Sequence, residues 1–143
     1  MCYRDLMLRK TLRWIMAGFY IAAGLNHFRD PQIYLELMPP YLPWPLALIY
    51  LSGAAELLGG VGVLIPRTRR AAAWGLIALL VAVFPANIHI ALHGFHGLPA
   101  WVLWARLPVQ GLLVAWVYWT CLVDACPRET AQPNPAEPEP KGP

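Results

Sequence analysis

A carboxylate, a guanidinium and several imidazoles stand inside stretches that are otherwise apolar. Glu56 lies in LSGAAELLGG, Arg106 in WVLWARLPVQG, His27 in GLNHF, and His89 and His93 in FPANIHIALH. A carboxylate held away from water is suited to accept and release a proton or to grip a ligand, and imidazoles do the same near neutral pH. Asn26, Asn87, Gln110 and Tyr20 add groups that orient a ligand by hydrogen bonds. Glu56, Arg106, Gln110, His27, Asn26, His89, Asn87 and Tyr20 therefore form the candidate set for ligand binding or proton relay. The serines and threonines offer no nucleophile–base–acid arrangement, so no catalytic residue is assigned. His89, His93 and His96 have the spacing H-x3-H-x2-H, which could offer three metal ligands on one helix face. Gly94 and Gly97 argue that the helix ends there, and no cysteine joins them from that side. Hydrogen-bonded interfacial histidines are favoured over a metal or haem site.

The elements that position these groups follow from composition. Of the 143 residues, 58% are hydrophobic and 13% charged, against about 25% charged in a soluble domain. Mean hydropathy is +0.46. A helix crosses a hydrocarbon core with about 20 mostly apolar residues, and four segments suit: 8–28, 46–65, 71–92 and 101–123. The expected fold is all-α, an integral membrane four-helix bundle over residues 1–126. Asp30 and Pro31 read as the start of a short helix that Pro39 and Pro40 stop, an aromatic-rich piece suited to the membrane interface. Residues 127–143, rich in Pro and Glu, read as a disordered cytoplasmic tail. Pro108 offers an alternative start for the fourth span, with Arg106 then an interfacial anchor.

Basic residues set direction. Arg4, Arg9, Lys10 and Arg13 precede span one, Arg67, Arg69 and Arg70 separate spans two and three, and Arg128 and Lys141 follow span four. The opposite loops carry Arg29, with Arg106 just inside span four, so both termini are expected to be cytoplasmic. A cleaved signal peptide also fits the basic start and Ala22-Ala23-Gly24, but it leaves three spans and suits the charge pattern less well. Cys2, Cys121 and Cys126 then lie on the reducing side and read as structural bystanders. No basic tract interleaved with aromatics and no phosphate-cradling glycine loop is present, which argues against nucleic acid or nucleotide as partner.

Membrane helices pack through small residues. In span three Gly75, Ala78, Ala82, Pro85 and Ala86 form such a stripe, continued by His89 and His93, and it is expected to face inward. Asn87 falls nearly opposite His89, so its placement depends on a bend at Pro85. Glu56 shares a face with Ser52, Gly53, Gly59 and Gly60; His27 shares one with Tyr20, Ala23 and Gly24; Arg106 and Gln110 stand a turn apart. Counting turns puts these polar groups in the outer half of the bundle. There Glu56 and Arg106 either pair as a register-fixing salt bridge, or Glu56 serves as a ligand-binding or proton-accepting group.

The pieces GLNHFRDPQIYLELMPPYLP, LSGAAELLGGVGVLIPRTRRAAAWG, FPANIHIAL and RLPVQGLLVAW, in this order, resemble the DoxX-like family of small four-span bacterial membrane proteins. The resemblance runs from about Arg13 to Trp119. It implies a multipass protein of the bacterial inner membrane, with Asn26, His27, Phe28, Glu56, Arg106 and Gln110 at the positions such proteins typically share. The family name comes from a link to thiosulfate:quinone oxidoreductase, which implies an accessory or redox-linked subunit with a membrane oxidoreductase partner and a quinone as candidate ligand. A small-solute or proton transporter, and a purely structural membrane partner, are the alternatives. A homo-oligomer remains open.

Overall fold

The computed structural model of the protein describes residues 2–95 and 97–123, with side chains from Arg4 onward. His96, Cys126 and the tail 127–143 with its expected disorder lie outside the described residues. Five helices follow in order: α1 (Cys2–Arg29), α2 (Pro31–Leu37), α3 (Pro45–Gly62), α4 (Arg69–His93) and α5 (Ala100–Cys121). The fold is all-helical, and α3, α4 and α5 are each long and apolar enough to cross a membrane. In α1 the uncharged apolar run is confined between Arg13 and Asn26, so composition alone does not place it in that class. Large apolar side chains face outward on every long helix, among them Trp14, Leu51, Val81 and Leu112. A patch of that extent is out of place in water and in place against acyl chains.

Local sequence explains the boundaries. Asp30 and Pro31 open α2, because proline gives up only an N–H that a first helical turn leaves unpaired anyway. Pro45 opens α3 in the same way. Pro108 does not open α5, which begins at Ala100 after Pro99; Pro108 lies inside the helix, and so does Arg106. Pro85 likewise lies within a continuous α4. Helix α1 packs on α3 and α5, α4 packs on α3 and α5, and α2 folds back over α1 and α3.

The tightest seam is α1 against α3. A Cβ on Gly24 would stand 2.7 Å from the Gly53 carbonyl oxygen, and one on Gly53 2.6 Å from Cβ of His27. Only glycine permits this approach. The α3–α4 seam works differently: Leu76 of α4 fills the space above Gly59, and Ala72 sits against Gly62. This corrects the expectation for α4. Its small stripe Gly75, Ala78, Ala82 and Pro85 faces outward, whereas Ala73, Leu76, Leu80 and Ile90 are buried. Glycines on α3 already supply the hollow, so α4 supplies the knob. The buried positions 73, 76, 80 and 90, with the half-buried 83 and 87 between them, step by three and four, the repeat of helices that wrap around one another.

At the end of the fold that holds the start of α1, arginines close the helix C-termini. Arg9 Nη1 donates to the carbonyl of Val123 (2.7 Å), Arg13 Nη2 to that of Thr120 (2.6 Å), and Arg69 Nε to that of Val63 (3.1 Å). The last carbonyls of a helix lack internal partners and carry partial negative charge. Arg13→Ala should therefore cost about 1–2 kcal/mol, the range for a charge-assisted hydrogen bond at a helix end. Thermal unfolding in detergent measures it, and an unchanged midpoint would remove this role. Cys121, a buried free thiol, lies beside Thr120.

Candidate functional site

All five helices contribute to a cavity of about 250 Å³. Its polar lining comes from Tyr20 and His27 on α1, Tyr34 on α2, Ser52 and Glu56 on α3, Asn87 on α4 and Arg106 on α5. Phe19, Ile49, Leu80 and Leu113 supply much of the apolar wall. A dry cavity of about 150 Å³ accepts benzene, so this one has room for a single substituted ring.

The centre of the site is His27 with Glu56. Nε2 of His27 lies 3.6 Å from Oε2 of Glu56. Nδ1 lies 3.1 Å from the Ile49 carbonyl oxygen, which can only accept, so Nδ1 carries a proton and donates it there. Ser52 Oγ donates to the same carbonyl (2.9 Å) and stands 3.3 Å from Nδ1. With Nδ1 fixed as a donor, a further proton would sit on Nε2 or on the carboxylate. Either placement, imidazolium with carboxylate or imidazole with carboxylic acid, leaves the buried pair neutral overall. Neutrality is what a low-dielectric interior demands. At 3.6 Å the two atoms are in ion-pair range but beyond a hydrogen bond. Oε2 of Glu56 is shielded from solvent and has no hydrogen-bond partner, and the Tyr20 hydroxyl is in the same condition.

The imidazole is held from its other side as well. Tyr34 stacks on His27 with ring centroids 3.8 Å apart, and Asn26 Nδ2 donates to the Tyr34 hydroxyl (3.0 Å). Asn26 is thus exposed and acts on the site through Tyr34. Across the cavity, Asn87 Nδ2 donates to Gln110 Oε1 (2.9 Å), and Gln110 Nε2 donates to the Leu80 carbonyl. That carbonyl neighbours the one on Val81 that Pro85 leaves without its helical donor. Gln110 is spent on tying α5 to this loosened turn and on aiming Asn87. Gln110→Leu should release Asn87 and cost about 1–3 kcal/mol, the penalty for buried polar groups left unpaired; unfolding in detergent is the measurement, and no loss would mean the network is dispensable.

The structure brings together Tyr20, His27, Glu56, Asn87 and Arg106, with Gln110 behind Asn87. It does not bring His89 to them. His89 meets Tyr41 edge-on at 6.0 Å and stacks on His93 at 4.1 Å, while His93 Nδ1 donates to the His89 carbonyl (2.9 Å). The register-fixing salt bridge of Glu56 with Arg106 is not formed: Glu56 faces His27. Among the described residues Arg106 has neither an ion-pair nor a side-chain hydrogen-bond partner, although it lines the cavity. Among those residues no group of three His, Cys, Asp or Glu is placed to hold a metal ion. Ser52 and Tyr34 were missed as site residues. Ser52 precedes Glu56 by one turn and was readable from that spacing; Tyr34 depends on α2 folding back, for which the sequence carries no periodic signal.

Three helices long and apolar enough to cross a membrane, with a half-open cavity whose mostly apolar wall carries a cluster of polar groups, define a membrane protein. Residues 16–121 match the family described as Domain of unknown function (DUF8561), and the chain belongs to it. The match takes in α2 to α5 and the second half of α1, and so every residue that lines the cavity. No curated protein and no solved structure matches the chain.

Proposed function

We propose that the protein is a four-span inner-membrane protein, with both termini cytoplasmic, whose cavity binds a lipophilic small molecule such as a quinone and which serves as an accessory or redox-linked subunit. The His27–Glu56 pair carries this reading. It sets an imidazole and a carboxylate 3.6 Å apart at a ring-sized cavity, beside a tyrosine hydroxyl without a hydrogen-bond partner and an arginine that is unpaired among the described residues. Such groups are expensive to keep in a membrane and mark functional sites by default. The resemblance to DoxX-like proteins supports the redox link and the bacterial inner membrane. The contacts of α1 with α3 and α5 support its role as the fourth crossing. Arg9, Arg13 and Arg69, all at one end of the fold, support a cytoplasmic placement for that end, where the cavity would lie in the outer half.

Purification from native membranes in mild detergent, followed by identification of co-purifying proteins and small molecules, tests this. An oxidoreductase partner or a bound quinone is the expected result; a clean chain with neither overturns it. A second reading, a proton or small-solute carrier using the same cavity, is favoured by the Glu56 oxygen that faces His27 without being hydrogen-bonded. Proteoliposomes decide it: absence of Glu56-dependent flux removes the carrier.

A further inference from the structure

A second hollow lies against the first. It holds about 530 Å³ between α3, α4 and the chain around α2, and its walls are almost wholly apolar, with Leu48, Leu51, Leu79 and Met38 prominent. Its floor is the outward stripe Gly75, Ala78 and Ala82, together with Ala55 of α3. Met38, Ser52, Val83 and Ala86 line both hollows, so the groove and the polar cavity share a wall. Leu51, Ala78 and Ala82 are exposed, which puts the groove on the outward face of α3 and α4.

The geometry points to one occupant for both spaces: a single-chain membrane amphiphile whose ring head sits in the cavity and whose alkyl or prenyl chain lies along the α3–α4 groove. This deepens the binding reading above and rests on it. The head is constrained by the groups that wait for it. Arg106 and the Tyr20 hydroxyl can donate, and the carboxylate of Glu56 can accept or share a proton. An oxygen-substituted ring, with carbonyl or hydroxyl groups on more than one side, answers all three. A cavity of about 250 Å³ takes the ring but not a long chain, while the groove, roughly twice as large, is suited to nothing polar. The outward-facing small stripe thereby acquires a use: it leaves room for a chain, where larger side chains would fill the groove. The chain would run from the cavity to the groove between Ser52 and Val83, side chains common to both linings, with entry sideways from the bilayer.

Binding of two probes to the detergent-solubilised full chain separates the parts: a methoxy-substituted benzoquinone without a tail and the same ring bearing a decyl chain. The decyl probe should bind the parent at least tenfold more tightly than the bare ring. Ala82→Phe and, independently, Ala78→Leu fill the groove; each should erase the advantage of the decyl chain and leave bare-ring affinity unchanged. Tyr20→Phe should weaken both probes. Equal affinities of the two probes for the parent, or groove variants that bind both as the parent does, overturn the groove while the cavity reading stands. Binding of neither probe overturns the cavity reading and the groove with it. Loss of a cross-linked dimer in Ala82→Phe, with probe binding intact, gives the groove to a second copy of the chain and also overturns the proposal.

Discussion

Glu56→Gln should leave the protein folded and empty its cavity of ligand. The side chain is nearly isosteric, and Nδ1 of His27 can keep its hydrogen bond to the Ile49 carbonyl while a neutral amide faces Nε2. No unpaired charge is created, so membrane abundance should stay within about twofold and the unfolding midpoint within a few degrees, as for changes below about 1 kcal/mol. Head-group binding should fall at least tenfold, equivalent to about 1.4 kcal/mol, because the amide can neither carry the carboxylate charge nor take up and release a proton. His27→Ala should behave in the opposite way. It strands the Glu56 carboxylate and removes the ring on which Tyr34 stacks. Breaking a buried pair by deleting one partner costs about 3–5 kcal/mol, so abundance should collapse. Combining the two changes should recover part of that loss, since the stranded charge is gone, and the double-mutant cycle reads the coupling directly. If Glu56→Gln alone lowers abundance as far as His27→Ala does, the pair serves the fold and the binding site is wrongly placed.

The contrast between these two variants depends on contacts that were only partly legible in the chain. Helix α2 and its opening at Pro31 could be read, because proline at a first turn is a local signal that needs no tertiary context. The inward face of Glu56 could be read from Ser52, Gly53, Gly59 and Gly60, which share it. The partner of Glu56 could not. Depth along the helices matched Glu56 with Arg106, but depth says nothing about which neighbour stands closest. That is decided by the glycines at 24 and 53, which bring α1 and not α5 against α3. The face of α4 was misjudged for a related reason. Small residues were expected at both sides of a seam, yet one hollow and one knob suffice, and Leu76 is the knob over Gly59. Asn87 then turns inward with Leu80 and Val83, and His89 turns aside to Tyr41.

The same seam gives the second large effect. Gly53→Ala should destabilise the protein and also abolish binding, although the added methyl group never enters the cavity. Its Cβ would stand 2.6 Å from Cβ of His27 and 3.1 Å from the Gly24 carbonyl oxygen. Neither neighbour is the free end of a flexible side chain, so relief requires α1 to move away from α3. Overpacking of this kind costs about 1–3 kcal/mol. The shift also carries Nε2 away from Oε2 and Nδ1 away from Ile49, so the His27–Glu56 geometry goes with the packing. Gly18 and Gly111 are the controls, because a Cβ at either meets nothing within 4 Å. Alanine there should stabilise the helix by about 0.5–1 kcal/mol, since glycine surrenders more backbone freedom on folding. Unfolding midpoints of the three variants in one detergent, beside head-group affinity, make the comparison. A Gly53→Ala protein as stable as Gly18→Ala would mean that α1 and α3 do not meet where the glycines put them, and the His27–Glu56 pair would fall with that contact.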